Sequence, residues 1–208
     1  MRRVQVDAFF PDAAALAPAL EAFSRGEIVG YPTETLYGLG VDPSNRTAVS
    51  KLFVVKGRSK TEPIPLIASD LEQVDRDIGT LPLLARRLAQ QFWPGPLALI
   101  IQAHSTIIPE IHSGTQRVAV RVPAHAVARE LARLAGHPLT STSANRSGEP
   151  PASTAEEVER ALGALLAVLI DAGPAPGRVA STIVDVSTSP PRLVRAGAVP
   201  WDRVLEFL

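Results

Sequence analysis

The 208-residue sequence has no cysteine, and its 21 acidic residues balance its 21 basic residues. Without cysteine the chain cannot form disulfides, thiolate nucleophiles, iron–sulfur clusters or cysteine-ligated zinc sites. Its four histidines lie at least eight residues apart, so none forms the i, i+4 pair that places two imidazoles on one helical face. Zero net charge excludes a strong overall field for attracting nucleic acid. The remaining chemistry must use hydroxyls, amides and local clusters of charge.

Long apolar runs are also missing. The longest covers residues 164–170, far short of the ~20 residues that span a bilayer. Asp7, Pro11 and Asp12 interrupt the N-terminal stretch before it can form the apolar core of a signal peptide. We therefore expect a cytoplasmic protein with no membrane insertion. The length and the 46% content of apolar residues predict one globular domain over residues 1–208.

Helical and strand patterns alternate along the chain. Helices are predicted over residues 12–25, from Ser44 or Asn45 to Lys56, from Asp70, over 83–92, over 124–135 and from Thr154. Strands are predicted over residues 27–31, 64–68, 97–102, 118–122, 139–143, 167–171, 182–186 and 192–195. This alternation predicts an α/β fold with an open, twisted, mixed sheet flanked by helices.

The standard nucleotide-binding signatures are absent from the sequence. There is no P-loop, and Gly38 and Gly40 lack the third glycine of a dinucleotide fingerprint. Any ATP site must therefore be built differently.

The segment PTETLYGLG, residues 32–40, is the first candidate for a site. One interpretation is a tight turn between two strands. The alternative is that Thr33 and Thr35 point hydroxyls into a pocket, while Gly38 and Gly40 let a ligand approach the main chain. Both interpretations remain open from the residues alone.

The segment KGRSK, Lys56–Lys60, concentrates positive charge without an acidic residue. Cations at a helix C-terminus complement the helix dipole and can simply remain solvated. The cations would repel one another unless an anion were present, which favours a phosphate or carboxylate site.

Two further polar features interrupt apolar strands. STSAN, residues 141–145, places hydroxyls and an amide at a strand end, where they either satisfy a turn or bind ribose or phosphate. Arg121 lies inside an apolar strand and needs an acidic partner or an anionic ligand. We interpret Asp185 as a salt-bridge partner, with Arg121 as a candidate, in preference to a catalytic role.

These motifs occur in one order along the chain. PTETLYGLG, KGR, WPGPLALII (93–101), VAVRVP (118–123), STSAN with RSGEP, STIVD and VRAG together resemble the YrdC-like threonylcarbamoyl-adenylate synthase family in its single-domain form. The resemblance covers about residues 26–199. It implies the YrdC-like fold, with a cationic concave face.

The resemblance also implies an activity. Members of the family are nucleotidyltransferases that make L-threonylcarbamoyl-AMP and pyrophosphate from L-threonine, bicarbonate or CO2, and ATP. The product serves threonylcarbamoyl modification of the adenosine next to the anticodon in tRNA. Expected partners are therefore these substrates and the tRNA-modifying threonylcarbamoyl transferase machinery, with RNA as a further candidate.

Family motif positions supply the expected site residues. The threonine set comprises Thr33, Thr35, Arg121, Ser141 and Ser181. The ATP set comprises Lys56, Arg58, Arg117, Ser143, Asn145 and Arg195, of which Lys56 and Arg58 are the expected catalytic residues. We see no carboxylate cluster that could hold a metal, so Mg2+ is expected to arrive on ATP.

Departures and alternatives remain. Glu62, Ile67 and Pro151 differ from residues found in many relatives, which puts peripheral contacts in question. The main alternative is an RNA-binding or ribosome-maturation module without ATP chemistry. The few aromatic residues, six Phe, two Tyr and two Trp, disfavour a stacking platform for RNA. A narrower alternative is carbamoyl transfer to another acceptor, as in related domains of hydrogenase maturation proteins.

Overall fold

The computed structural model describes residues 1–57, 59 and 61–208, and there strands and helices alternate as predicted. The strands are β1 (Arg2–Gln5), β2 (Val29–Tyr31), β3 (Gly38–Gly40), β4 (Leu66–Ile67), β5 (Leu97–Gln102), β6 (Arg117–Arg121), β7 (Leu139–Thr140), β8 (Thr142–Ser143), β9 (Val168–Asp171), β10 (Thr182–Asp185) and β11 (Arg192–Arg195). The helices are α1 (Ala13–Ser24), α2 (Arg46–Lys56), α3 (Leu71–Asp77), α4 (Leu83–Phe92), α5 (Pro109–His112), α6 (Ala126–Ala135), α7 (Ala155–Leu162) and α8 (Trp201–Leu205). In these described ranges no helix has both the length and the apolar character of a membrane span.

The strands form two mixed sheets. The first has the order β1-β9-β2-β3-β8, and the second has the order β11-β10-β5-β6-β4-β7. Each sheet combines parallel pairs, such as β1 with β9, and antiparallel pairs, such as β5 with β6. The mixed α/β class is confirmed, although the single open sheet expected from the sequence is divided in two. The single domain over residues 1–208 stays a prediction.

The sequence signals at the helix ends correspond to capping contacts. The Asn45 side chain accepts a hydrogen bond from the Ala48 N–H at the start of α2, and Gly57 ends that helix in the left-handed conformation at φ 60°. Thr154 and Glu157 form the predicted capping box of α7. These contacts satisfy backbone groups that a helix leaves without intrahelical partners.

The second sheet presents different side chains on its two faces. Along β6, Val118 and Val120 are buried in the larger hydrophobic core, whereas Ala119 and Arg121 alternate with them and face the other way. β5 repeats this pattern, because Leu97, Leu99 and Ile101 enter the same core. One face of this sheet therefore packs, and the other is left to line a cavity.

The chain crosses from one sheet to the other at Ser141, which corrects the prediction of one strand over residues 139–143. β7 pairs with β4 in the second sheet, and β8 pairs with β3 in the first. Between them the Ser141 N–H donates to the Pro65 carbonyl at 2.8 Å. A period-2 pattern cannot reveal this break, because both short strands are extended and buried.

His125 caps α6 in a form that depends on its protonation state. Its Nδ1 accepts a hydrogen bond from the Val127 N–H at 3.3 Å, so this nitrogen must be unprotonated. Burial lowers the pKa of His125 to about 4, and the charge of Arg129 acts in the same direction. The folded protein therefore favours the neutral imidazole.

We predict that this histidine makes stability depend on pH. In the unfolded chain His125 takes up a proton below about pH 6.5, while in the folded chain it stays neutral down to about pH 4. The free energy of unfolding should therefore fall as pH drops through this window, by about 1 kcal/mol at pH 5 after allowance for solvent screening. His125→Asn keeps a capping acceptor and should not show this loss of stability between pH 7 and pH 5. Urea unfolding at pH 7, 6 and 5 measures the free energy of unfolding of both proteins. An equal dependence on pH in both would contradict the assignment of this loss to His125.

Candidate active site

A cavity of about 420 Å³ lies where the two sheets meet. Its walls come from the 33–38 segment, from the crossing segment 141–145 and from one face of the second sheet. Eight of the residues predicted to bind threonine or ATP line it: Thr33, Thr35, Arg121, Ser141, Ser143, Asn145, Ser181 and Arg195. The structure thus brings together residues that are up to 162 positions apart in the sequence.

Small side chains on the second sheet make room for the cavity. Ala98 and Ala119 line its floor, together with Ile100 and Ile183. The sequence analysis assigned these residues no role. Their signal was present in β5 and β6, where a small residue alternates with large apolar residues that fill the core.

The 33–38 segment is a turn whose hydroxyls bond within it. The Thr33 hydroxyl donates to the Leu36 carbonyl at 2.6 Å and accepts from the Leu36 N–H at 3.2 Å. Thr35 lies 2.9 Å from it, oxygen to oxygen. Both proposals for this segment therefore hold in part: it is a self-satisfied turn, and its threonines line a cavity. Gly40 is different, because a Cβ there would lie 2.7 Å from the Tyr31 ring. The absence of a side chain at Gly40 lets the Tyr31 ring pack against the main chain there.

Arg121 is a buried cation that has an acidic partner beside the cavity. Its Nη1 donates to Glu34 Oε1, and its Nη2 donates to the Thr35 hydroxyl at 3.3 Å. Burial lowers the pKa of Arg121 to about 10; Tyr31 opposes this effect and the positive charge of Arg195 adds to it. The guanidinium stays charged near neutral pH. These two bonds use two of its five N–H donors, which leaves capacity for an anion in the cavity.

Glu34 was missed by the sequence analysis, although it lies inside the PTETLYGLG motif. Its Oε2 atom is buried and has no hydrogen-bond partner among the described residues. A Cβ on Gly177 would lie 2.6 Å from the Glu34 carbonyl oxygen, so that glycine lets the 173–180 segment close over this turn. The sequence did offer a signal for Glu34, because it is the only acidic residue between Glu27 and Asp42.

Arg195 reaches the cavity from β11, at the edge of the same sheet that carries Arg121. Its Nε and Nη2 atoms donate to the Ser181 carbonyl at 3.0 and 2.8 Å, and Nη2 also lies 2.9 Å from the Ser181 hydroxyl. A Cβ on Gly197 would come within 2.3 Å of the Ala180 carbonyl oxygen. Glycine is needed there for the VRAG segment to pack against the start of β10.

Lys56, Ser143 and Asn145 form one hydrogen-bonded group. The Lys56 ammonium donates to the Ser143 carbonyl at 2.6 Å and to the Asn145 side-chain oxygen at 2.8 Å. The Ser143 hydroxyl donates to the same Asn145 oxygen at 2.6 Å. Ser143 and Asn145 line the cavity, and the Lys56 side chain lies buried behind them.

Other predicted residues are placed differently. Arg117 is on β6 at the end away from Arg121, roughly 13 Å along the strand. It donates to Asp185 at 3.3 Å and is not among the cavity-lining residues. The expected Asp185–Arg121 salt bridge is wrong, because Asp185 contacts Arg117 and Arg192.

Arg58 and Lys60 lie outside the described residues, so the cationic concave face stays a prediction. The three positions that depart from the family pattern differ in their surroundings. Glu62 is exposed, Ile67 is buried in the smaller core, and Pro151 lines the cavity. Over the described ranges, no three His, Asp or Glu side chains come together as a metal site would require.

The charges of the cavity define what it can bind. Two guanidiniums, Arg121 on β6 and Arg195 on β11, reach it from the second sheet, and serine and threonine hydroxyls also line it. Charge-assisted hydrogen bonds from such groups suit carboxylates and phosphates. No side chain in the described lining is a cysteine, histidine or carboxylate, so the arrangement is suited to binding and aligning anions.

We predict that Glu34→Gln destabilises the protein by about 3 kcal/mol, because it leaves the buried Arg121 cation without its counter-charge. Glu110→Gln is the matched control. Glu110 also has an ion pair and a buried oxygen without a partner among the described residues, but its partner Arg46 is 61% exposed. That variant should lose no more than about 1 kcal/mol. Urea unfolding at pH 7 compares the free energies of unfolding of the two variants. Equal losses would show that the buried Glu34–Arg121 pair stabilises the fold no more than an exposed pair does.

The chain is similar to known protein families, sequences and solved structures. A profile of the Sua5/YciO/YrdC family, described as telomere recombination, matches residues 21–197. Threonylcarbamoyl-AMP synthase of Thiobacillus denitrificans is 39% identical over 180 residues, which cover 86% of this chain and 94% of that protein.

Solved structures give the same result for the fold. Pyrococcus abyssi Sua5 complexed with L-threonine matches 100% of this chain with a TM-score of 0.95 and 32% identity, and this chain spans 61% of that longer protein. Escherichia coli YciO, at 22% identity and a TM-score of 0.87, covers 95% of this chain and shares the fold. On the extent of the family profile and of these alignments, the chain belongs to the Sua5/YciO/YrdC family.

Proposed function

We propose that this protein is an L-threonylcarbamoyl-AMP synthase, which uses L-threonine, bicarbonate or CO2, and ATP, and releases pyrophosphate. The observation that carries the proposal is the convergence of the whole threonine set and half of the ATP set on one cavity. At about 420 Å³ the cavity is within the usual range for small-molecule sites. Membership of a family with synthases among its relatives supports the same activity.

Two groups of cavity residues suit the two substrates. Arg121, with Thr35 and Ser141 nearby, offers a cation and hydroxyls for the carboxylate and hydroxyl of threonine. Arg195 offers a cation for phosphate oxygens, and the Ser143 hydroxyl would donate to a phosphate oxygen after turning away from Asn145 Oδ1. Sua5 of Pyrococcus abyssi was solved with L-threonine, which supports threonine as one of the substrates.

The chemistry needs alignment of two anions, not a protein nucleophile. The threonine amine forms a bond to the carbon of CO2 and releases a proton, which gives a carbamate. A carbamate oxygen then forms a bond to the α-phosphorus of ATP as the bond to the β-phosphate oxygen breaks, and pyrophosphate leaves. Arg121 and Arg195 would offset the repulsion between carbamate and triphosphate, and holding the reactants in line supplies much of the acceleration.

Other parts of the proposal concern partners. We propose that Mg2+ enters as part of the ATP substrate. The product would pass to the threonylcarbamoyl transferase machinery that modifies the adenosine next to the anticodon of tRNA. We retain Arg58 in the proposed ATP set on the family motif alone.

The defining experiment measures pyrophosphate release and the product mass with purified protein. Pyrophosphate and threonylcarbamoyl-AMP should form only when ATP, Mg2+, threonine and bicarbonate are all present. Equal pyrophosphate release without threonine would reject the proposal. Salt-dependent RNA binding without any response to ATP and threonine would instead favour the RNA-binding alternative.

Two serines in the crossing segment test the division of the cavity. We predict that Ser141→Ala raises the KM for threonine about tenfold, the effect of losing about 1.4 kcal/mol of hydrogen bonding, with the KM for ATP changed less than about twofold. Ser143→Ala should do the reverse. The two variants serve as controls for each other, since they remove the same atom two residues apart. Steady-state kinetics with each substrate varied in turn measures both constants, and parallel changes in both would refute the division.

A further inference from the structure

Among the predicted ATP-binding residues that the structure describes, Lys56 differs because its side chain is enclosed by protein oxygens. It is the last residue of α2 and is 4% exposed. Its Nζ atom lies 2.6 Å from the Ser143 carbonyl oxygen, 2.6 Å from the Asn145 carbonyl oxygen and 2.8 Å from Asn145 Oδ1. An ammonium has three N–H donors, and these three short bonds equal them in number, with the Ser143 hydroxyl as a longer contact at 3.5 Å. A phosphate could bind Nζ only by displacing a loop oxygen.

The main chain of Lys56 makes the same connection. Its carbonyl accepts a hydrogen bond from the Ser147 N–H at 2.8 Å. Lys56 therefore attaches the end of α2 to the 143–149 segment through both its side chain and its backbone.

The 143–149 segment carries Ser143 and Asn145, two of the predicted ATP-binding residues that line the cavity. Asn145 Oδ1 accepts from both Lys56 and the Ser143 hydroxyl, and Asn145 Nδ2 donates to the Glu149 carbonyl at 2.6 Å. These bonds fix which way the amide is turned. The Ala144 N–H also donates to the Tyr37 carbonyl at 2.9 Å, so the segment is held from two sides.

From this geometry we propose that Lys56 is a positioning residue that acts on the ATP site through the 143–149 segment and does not bind a phosphate. The proposal rests on the function proposed above and changes the role that the sequence motif implied for this lysine. The ammonium compensates the dipoles of the converging loop carbonyls, and the loop then presents Ser143 and Asn145 to the cavity before any ligand binds. Losing the ammonium should leave the Ser143 and Asn145 carbonyls without this donor and Asn145 Oδ1 with the Ser143 hydroxyl in place of two donors, and the segment should lose its fixed conformation.

A double-mutant cycle in kcat/KM for ATP tests this role. Lys56→Met keeps the length of the side chain and removes the donors, and Asn145→Ala removes the amide they hold. If Lys56 acts through the segment, each single variant loses roughly 30-fold and the double variant loses no more than about threefold beyond either one. A direct phosphate contact would make the losses multiply to nearly 1,000-fold, and that result would overturn the proposal.

Lys51→Met is the matched control, because Lys51 is on the same helix and donates to the Gly26 carbonyl away from the cavity. It should leave kcat/KM within about twofold of the unchanged protein. The control therefore separates loss of a lysine on α2 from loss of this particular contact.

A second measurement needs no substitution and applies even if Lys56→Met fails to fold. The chain has three lysines, so the 15Nζ signal of Lys56 can be assigned and followed while a non-hydrolysable ATP analogue and Mg2+ are added. We expect the chemical shift of Lys56 Nζ to stay at its ligand-free value, while the chemical shifts of the 143–149 segment change. A scalar coupling between Lys56 Nζ and a phosphorus atom of the analogue would overturn the proposal.

Failure of this inference is distinguishable from failure of the proposed function. If the protein made no threonylcarbamoyl-AMP, the unchanged protein itself would be inactive. If only the inference failed, the unchanged protein would be active, and the two variants would have multiplying effects or Lys56 would couple to phosphorus.

Discussion

The site depends on the crossing of the chain between two sheets at Ser141. A main chain that leaves one sheet in the protein interior must have its N–H and C=O groups satisfied elsewhere. Thr140 supplies several of these bonds: its hydroxyl accepts from the Val41 N–H at 2.9 Å, and its carbonyl accepts from the Tyr31 hydroxyl at 2.7 Å. These hydrogen bonds hold the crossing in place at the point where the chain passes from one sheet to the other. Polar groups of this crossing segment therefore line the cavity.

The buried cations of the site are held in place before a ligand arrives. Arg121 is held by Glu34, and Lys56 by the oxygens of the 143–149 segment. A buried charge without such partners would be costly and would shift its pKa or its position. Because these contacts are made within the protein, the cavity can present fixed donors to substrate anions without reorganising them, which is the condition for strong electrostatic stabilisation.

The sequence predicted the local elements well, because their signals are local. Asn45 and Gly57 mark the ends of α2, an apolar run after Pro96 identified β5, and the alternation of valines identified β6. The division into two sheets was not predictable in the same way, since β7 and β8 are two residues each and look like one buried strand. Strand partners depend on contacts distant in sequence, which periodicity does not encode.

The candidate site was predictable as a set of residues, and the pairing within it was not. Recognition of ordered motifs identified residues that the fold brings to one cavity. It could not show that Arg121 pairs with Glu34 and that Asp185 contacts Arg117, because a salt bridge depends on where side chains lie in space. Nor could it show that Lys56 faces loop oxygens, since a lysine next to an arginine and a glycine reads equally as a phosphate ligand.

The most direct test of the central claim is a crystal structure of the protein with L-threonine, Mg2+ and a non-hydrolysable ATP analogue. The account predicts one cavity containing both ligands, with the threonine carboxylate on Arg121 and the triphosphate against Ser143 and Arg195. Threonine bound outside the seam between the two sheets, or the triphosphate bound away from Ser143 and Arg195, would contradict it.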